Sequence, residues 1–150
     1  MSVLGRIDGK WGALAALVFV LVTGEGLAAS APSQPPTLVG FWYGLGEPGD
    51  PDIFYIDAFT ADGKFHAEYR KCEKGKLIYQ QTQSGTWKIA DGVLTINSTV
   101  INGKPGKFDH SYTVEMLSGT EFHARLHDPD FLFVERRIPK FEFPDCYLGV

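Results

Sequence analysis

The chain has 150 residues, of which 44% are hydrophobic and 21% charged, and its formal net charge at pH 7 is −4. This length fits one domain with a single modest hydrophobic core. The charge is small and dispersed, which excludes the basic face that a nucleic-acid partner needs.

Residues 1–31 have the organisation of a secretory signal peptide. Two basic residues precede an apolar run from Trp11 to Thr23, and small residues follow at 28–31. A membrane anchor is the alternative, but the run has only about 13 residues, whereas a spanning helix needs about 20. Extending the run would place Glu25 in the hydrocarbon. We therefore predict export to the periplasm or extracellular space, with no stable membrane span after the signal is cleaved.

A Pro- and Ser-rich linker at 32–36 precedes a domain predicted over 37–147. This domain consists of short strand-like runs about ten residues apart, with turn residues at nearly every junction. No segment after the leader keeps a helical period. In chain order the predicted strands are 38–45, 53–59, 65–72, 77–83, a restart at Trp87 after a break at Gly85, 93–101, 108–116, 122–126 and 131–136.

The turns predict how these strands are connected. Asp91-Gly92 is the strongest hairpin signal, because both central residues of a type I′ turn need positive φ. Asn102-Gly103 and Lys74-Gly75 are further turns. Short connections make sequence neighbours into sheet neighbours, and such a meander closes most simply into a barrel. The predicted fold is all-β: a single up-and-down antiparallel β-barrel of eight to nine strands.

The two cysteines are Cys72 and Cys146. An even number in an exported chain favours a disulfide, and this one would tie the tail to the middle of the sheet. The chain-entropy model assigns such a loop about 4 kcal/mol of stabilisation. Two buried free thiols are the alternative. The aromatic, Pro-bounded tail at 141–146 is predicted to pack across the barrel.

The region from 108 to 127 decides whether the histidines form a metal site. His123 and His127 lie on a strand with period-two alternation, so they are about 13 Å apart, too far to share an ion. A two-residue loop at Ser118-Gly119 would bring His110 opposite His127, but it would set an apolar face against a polar one. A three-residue loop pairs the two apolar faces instead, and a slip of one residue would reverse every side chain. We therefore predict solvated histidines, His66 included, and no metal site.

The same register predicts the residues that line the interior. An eight-stranded barrel is just wide enough to be filled by side chains or to hold one small ligand. Core packing is therefore the alternative to a ligand cavity. The predicted ligand-facing residues are Tyr112, Val114, Met116, Phe122 and Leu126, with Ala124 on the same face.

Other chemistry has little support in the sequence. Glu47, Asp50 and Asp52 cluster in the first loop, but they lack the ligand spacing of a calcium loop. The chain contains neither a nucleophile elbow nor a phosphate-binding loop that opens a helix. We predict that the protein is not an enzyme and uses no cofactor.

Gly40-Phe41-Trp42 on the first strand, followed by a broad loop and a meander, resembles the lipocalin pattern. Residues 62–65, 85–89 and 94–96 look like the short bacterial lipocalin-like domains. In that family the Trp lies at the closed end of the barrel, and a basic residue of the last strand lies across its ring. The resemblance gives these roles to Gly40, Trp42 and Arg136, with Arg137 as the fallback.

The resemblance also implies a function. Lipocalins often link a mid-barrel strand to the C-terminal tail by a disulfide, to which Cys72 and Cys146 look similar. The family implies transport or sequestration of a small apolar molecule, without chemistry on it. The alternative is a solid barrel acting as a protein-binding or envelope accessory module, whose partner is unknown. A third hypothesis is a small hydrolase or isomerase, which would need a buried polar cluster with convergent geometry.

Overall fold

The computed structural model describes residues 37–146, so the predicted signal peptide and linker lie outside the described residues, as does Tyr147 at the end of the predicted domain. The described residues form eight antiparallel strands that close into one barrel in sequence order, with the first strand paired to the last. The all-β up-and-down barrel is therefore confirmed. The strands are β1 Gly40–Glu47, β2 Asp50–Phe59, β3 Lys64–Glu73, β4 Lys76–Ala90, β5 Val93–Ile101, β6 Lys104–Leu117, β7 Glu121–His127 and β8 Asp130–Ile138.

Across residues 37–146 the structure contains strands and turns, and it has no helix of the length and apolarity that a membrane crossing requires. Two predicted hairpin turns have the expected backbone. Asp91 and Gly92 have φ angles of 52° and 75°, and Asn102 and Gly103 have 50° and 73°. Positive φ at both central residues matches the right-handed twist of the flanking strands. These two turns fix the β4–β5 and β5–β6 pairings.

The predicted break at Gly85 is wrong, because β4 is continuous there. The register of β4 against β5 shifts between Ser84 and Gly85, which is a β-bulge. A Cβ atom at Gly85 would collide with the backbone carbonyl of Asn97. The glycine is therefore needed where two strands approach closely, and the barrel has eight strands.

The loop between β6 and β7 has the predicted three residues, and Val114 pairs with Ala124 as expected. Beyond Val114 the register shifts, so Met116 lies opposite His123 and Leu117 lies opposite Phe122. The predicted pairing of Met116 with Phe122 is wrong, because Glu115 is an extra residue in a bulge. Leu117 packs against the buried core at this end of the barrel.

The buried core fills one end of the barrel, where the β2–β3, β4–β5 and β6–β7 turns lie. We call this the closed end. Trp42 and Phe122 are fully buried there, with ring centroids 5.7 Å apart. The core cluster comprises Leu38, Trp42, Phe59, Phe65, Ala67, Leu94, Ile96, Phe122 and Ala124.

The C-terminal tail packs against the outside of the barrel, as the sequence predicts. Cys72 and Cys146 form a disulfide with a Cα–Cα distance of 5.6 Å, which confirms the predicted pair. Phe143 contacts Phe54 with ring centroids 5.6 Å apart, and Phe141 contacts Phe41 at 6.2 Å. β2 is consequently buried on both of its faces from Ile53 to Phe59.

Candidate functional site

The closed end is sealed by a tryptophan under a guanidinium group. The Arg137 guanidinium carbon lies 4.2 Å from the centroid of the Trp42 ring. Trp42 Nε1 donates a hydrogen bond of 2.7 Å to the carbonyl of Leu38. Arg137 donates to the carbonyls of Val39 and Thr37, at 2.8 and 2.5 Å. Every one of these polar side-chain groups has a partner.

The basic residue over Trp42 is Arg137, which was the fallback, so the prediction of Arg136 for this role is wrong. In the β1–β8 pairing Trp42 lies opposite Arg137, while Arg136 lies opposite Tyr43 and is exposed. The inward side chains of β8 are Phe133 and Glu135, so Arg137 shares their face. Sequence alternation failed here because residues 131–134 are apolar on both faces of the strand.

Gly40 provides the space for this arrangement. Its φ angle is 137°, and a Cβ atom there would collide with the Arg137 guanidinium. A left-handed or otherwise positive φ favours glycine over every other residue. Gly40 and Trp42 therefore act together with Arg137 as one structural unit.

A cavity of about 30 Å³, partly open to solvent, lies inside the barrel beyond this seal. One water molecule needs about 10–15 Å³ of such space, so the cavity is small but large enough to hold water. Its walls are aromatic, aliphatic and acidic side chains from six of the eight strands. They are Tyr55, Asp57, Tyr69, Leu94, Ile96, Tyr112, Phe122, Ala124, Phe133 and Glu135.

The predicted ligand-facing residues are only partly brought together. Tyr112 and Phe122 line the cavity, and Val114 packs against the core. Leu126 is buried but lies outside the cavity wall. Met116 neither lines the cavity nor packs against the core. The bulge at Glu115 shifts the register, so that Leu117 packs against the core instead.

Two buried carboxyl groups in the cavity wall are not among the site residues predicted from the sequence. Asp57 of β2 and Glu135 of β8 are 7% and 3% exposed, and both line the cavity. Their strands flank β1, where Gly44 lies opposite both Tyr55 and Glu135. A Cβ atom at Gly44 would collide with the Tyr55 ring. The glycine therefore makes room for the Tyr55 ring beside the two acids.

Three buried oxygen atoms in this cluster lack a protein partner. Among residues 37–146, no group hydrogen-bonds Tyr55 OH, Asp57 Oδ1 or Glu135 Oε2. An unsatisfied buried polar group costs about 1–3 kcal/mol. Native interiors hold few such groups, so three around one cavity make it the candidate site.

The acids are held in their neutral form. Burial, followed by the nearby charge of Glu47, raises the pKa of Asp57 to about 8. Burial, followed by the charge of Asp57, raises the pKa of Glu135 well above its usual range. Burial likewise raises the pKa values of Tyr55, Tyr69 and Tyr112. At neutral pH the two acids are therefore mainly uncharged, and a cation beside them would favour their ionised form.

A ladder of rings leads from the cavity toward the open end. Phe108 and His110 have centroids 4.0 Å apart, and His110 stacks on Tyr112 at 5.8 Å. Burial lowers the pKa of His110, so its neutral form is favoured. Tyr112 then meets Phe133 edge-on at 5.6 Å, inside the cavity. The rings give an apolar route to the acidic cluster.

The structure offers little for a metal ion. Across the described range 37–146, no three His, Cys, Asp or Glu side chains gather closely enough to hold one. Asp50 of the first acidic loop is paired with Lys71 Nζ at 2.8 and 2.9 Å. His66 contacts Ser84, and His127 contacts Thr113, each at 2.8 Å.

A sequence signal for the missed acids exists. Asp57 interrupts the apolar run 53–59, and Glu135 ends the apolar run 131–134. A charged residue among apolar residues that could be buried on both faces of a strand is a candidate for burial. The pattern therefore marks Asp57 as such a candidate, although it does not say that Glu135 is its neighbour.

Comparison with known proteins assigns no family to this chain. A scan against protein-family models, a search of curated proteins and a search of solved structures found no match. The closed eight-stranded barrel is the architecture that the lipocalin resemblance implies.

Proposed function

We propose that the chain is an exported, non-enzymatic, lipocalin-like barrel that binds one small molecule in its interior. The observation that carries the proposal is the partly open cavity, whose wall includes Tyr55, Asp57 and Glu135, each with a buried oxygen that has no hydrogen-bond partner among residues 37–146. Export is supported by the leader and by the disulfide, because disulfides persist in oxidising compartments. The binding proposal is independent of the compartment.

The size of the cavity limits the ligand. Sites for drug-sized molecules occupy about 300–1,000 Å³, far more than the roughly 30 Å³ here. The enclosed space therefore takes only a small head group. An apolar body would lie along the Phe108, His110 and Tyr112 rings toward the open end. A slender hydrophobic molecule with one polar end fits this description, whereas a bulky one does not.

The buried acids also favour a second candidate function, which is acid–base catalysis. A carboxyl with a pKa near 8 is suited to proton transfer at neutral pH. Binding is the better supported function, because the enclosed space is too small to surround the reacting centre of a substrate. Conversion of a bound compound into a product would establish the enzyme instead.

The test is an NMR titration of the isotope-labelled protein with three six-carbon probes: n-hexanol, n-hexylamine and hexanoate. Binding in the cavity predicts saturable shifts at Tyr112, Phe122 and Ala124 with one ligand per chain. Ala124→Leu should abolish the shifts, because the added side chain fills the cavity. Ala90→Leu is the matched control, since Ala90 is exposed at the end of β4.

If no probe saturates, and native mass spectrometry of freshly purified protein finds no bound compound, the binding proposal is wrong. The alternative, a solid barrel that binds a protein partner, is then the better supported function. Its structural support is the far end of the β3–β4 hairpin, where Leu77, Ile78 and Tyr79 are consecutive and exposed.

A further inference from the structure

The three unpartnered oxygens define the chemical class of the ligand, an inference that rests on the proposed function. We infer that the cavity takes the head of a primary amine in its ammonium form, held between Asp57 and Glu135 beside Tyr55. The amine is the polar end of the slender molecule described above. Four features of the site lead to this class.

The first feature is the number of acceptors. A primary ammonium group has three N–H donors and no acceptor. Three residues of the cavity wall each have a buried oxygen with no hydrogen-bond partner among residues 37–146: Tyr55 OH, Asp57 Oδ1 and Glu135 Oε2. One ammonium head would satisfy all three. Hydrogen bonds between ionised donors and carboxylates are also the strongest kind available.

The second feature is the sign of the charge. Of the described residues that line the cavity, two are acidic and none is Lys or Arg. Glu47 lies close enough to raise the pKa of Asp57 by its charge. Arg137 is occupied by Trp42 and by two backbone carbonyls, and Lys71 is occupied by Asp50. An anionic ligand would therefore meet acids without a compensating cation.

The third feature is the set of rings around the acids. Tyr55 lies 5.6 Å from Tyr69 and 6.1 Å from Phe133, and Phe133 lies 5.6 Å from Tyr112, between ring centroids. All four rings line the cavity. Aromatic faces attract cations, and the attraction grows when the cation is desolvated.

The fourth feature is size. A primary ammonium head is about as large as a water molecule, which the cavity of about 30 Å³ admits. A trimethylammonium head is several times larger and has no N–H donor. The site should therefore separate the two cations, although both carry the same charge.

Binding should release a proton. The ionisable groups near Asp57 are Glu47 of β1, Tyr55 of β2, Tyr69 of β3, Tyr112 of β6 and Glu135 of β8, and each of them is an acid. An entering ammonium favours the carboxylate, so Asp57 gives its proton to solvent while the amine keeps its own. The affinity should therefore rise with pH up to about 8 and then level off.

Calorimetry at pH 7.5 tests the inference with n-hexylamine, n-hexanol and hexyltrimethylammonium. We expect hexylamine to bind at least about tenfold more tightly than each of the others, because only it supplies three charged donors. Titration in two buffers of different ionisation enthalpy should show about one proton released per amine bound.

Two variants locate the site. Asp57→Asn and Glu135→Gln keep the side-chain shape, and each should weaken hexylamine binding at least about tenfold more than it weakens hexanol binding. Glu73→Gln removes an exposed acid of β3 and should change neither. Far-UV circular dichroism and thermal unfolding check that each variant is folded.

The outcomes separate the two proposals. If hexanol binds as tightly as hexylamine, or if Asp57→Asn leaves amine affinity unchanged, the amine inference is wrong while interior binding stands. If hexyltrimethylammonium matches hexylamine, the cluster acts only as a diffuse negative charge, and the inference is again wrong. If none of the probes binds, water alone satisfies the three oxygens and both proposals fail.

Discussion

The closed end and the cavity both bury polar groups, but these groups have hydrogen-bond partners at the closed end and lack them around the cavity. At the closed end Trp42 Nε1 has its carbonyl partner, and the Arg137 guanidinium has two carbonyls and a ring. Around the cavity, Asp57, Glu135 and Tyr55 each keep an oxygen without a partner among residues 37–146. The closed end contributes to stability, whereas the unpartnered groups around the cavity lower it, as the proposed binding function would require.

This contrast can be expressed as free energy. A satisfied buried hydrogen bond contributes about 0.5–1.5 kcal/mol to stability, while an unsatisfied buried group costs about 1–3 kcal/mol. Substitutions at the two places should therefore have opposite signs. Sites that break local rules of stability are commonly the functional ones.

The largest expected effect comes from breaking the closed end. Trp42→Ala removes a fully buried ring and leaves a void beneath Arg137. Loss of such a side chain costs about 3–5 kcal/mol, so urea unfolding should show a midpoint far below that of the wild type. A change below about 1 kcal/mol would mean that Trp42 does not seal the barrel.

The next effect concerns Asp57 in the cavity wall, where a substitution should raise stability by an amount that depends on pH. Asp57 has a folded-state pKa of about 8, against about 3.9 in an unfolded chain. The folded protein therefore holds more protons between these values. The contribution of Asp57 to the free energy of unfolding is fully present below about pH 4 and is lost as the pH rises to about 8.

Asp57→Asn removes this dependence, because an amide does not titrate. We expect the variant to match the wild type at pH 4 and to be more stable by about 2 kcal/mol or more at pH 8.5. Chemical unfolding at pH 4, 6 and 8.5 measures the difference. Parallel curves for the two proteins would show that Asp57 is not held neutral by the fold.

A smaller effect distinguishes the two neighbouring arginines. Arg137→Gln loses the contact with Trp42 and should cost about 1–2 kcal/mol. Arg136→Gln is the matched control on the exposed face of β8 and should stay within about 0.5 kcal/mol. If the two variants lose equal stability, the stacking of Arg137 does not stabilise the closed end.

The parts of the fold that were predicted correctly are set by local chemistry. Asp91-Gly92 and Asn102-Gly103 fix their turns because few other pairs accept positive φ. The alternation of β7 fixed the inward face of Phe122 and Ala124, which are buried. Bulges are less visible in a sequence, so Glu115 and Gly85 misled the register and the strand count.

The site was harder to predict, because it depends on neighbours across strands. β8 is apolar on both faces over 131–134, so alternation could not show that Glu135 and Arg137 point inward. Asp57 and Glu135 are 78 positions apart in sequence and meet only because β1 pairs with both β2 and β8. Cysteine pairing was easier, since the chain offers only one pair.

The smallest expected effect concerns the phenol of the cavity. Tyr55→Phe removes a buried hydroxyl that has no partner among the described residues and leaves the ring contacts with Tyr69 and Phe133 in place. We expect stability to rise by about 0.5–1 kcal/mol, because an unsatisfied group is removed at no loss of packing. Gly44 leaves room for the ring in either case, so no strain is introduced.

Tyr69→Phe is the matched control, since Tyr69 lines the same cavity but its hydroxyl is not among the fully buried oxygens without a partner. This variant should gain no stability. Thermal unfolding of both variants beside the wild type makes the comparison. A loss of stability in Tyr55→Phe would mean that water already satisfies the hydroxyl. In that case the contrast between the closed end and the cavity is smaller than the protein contacts indicate.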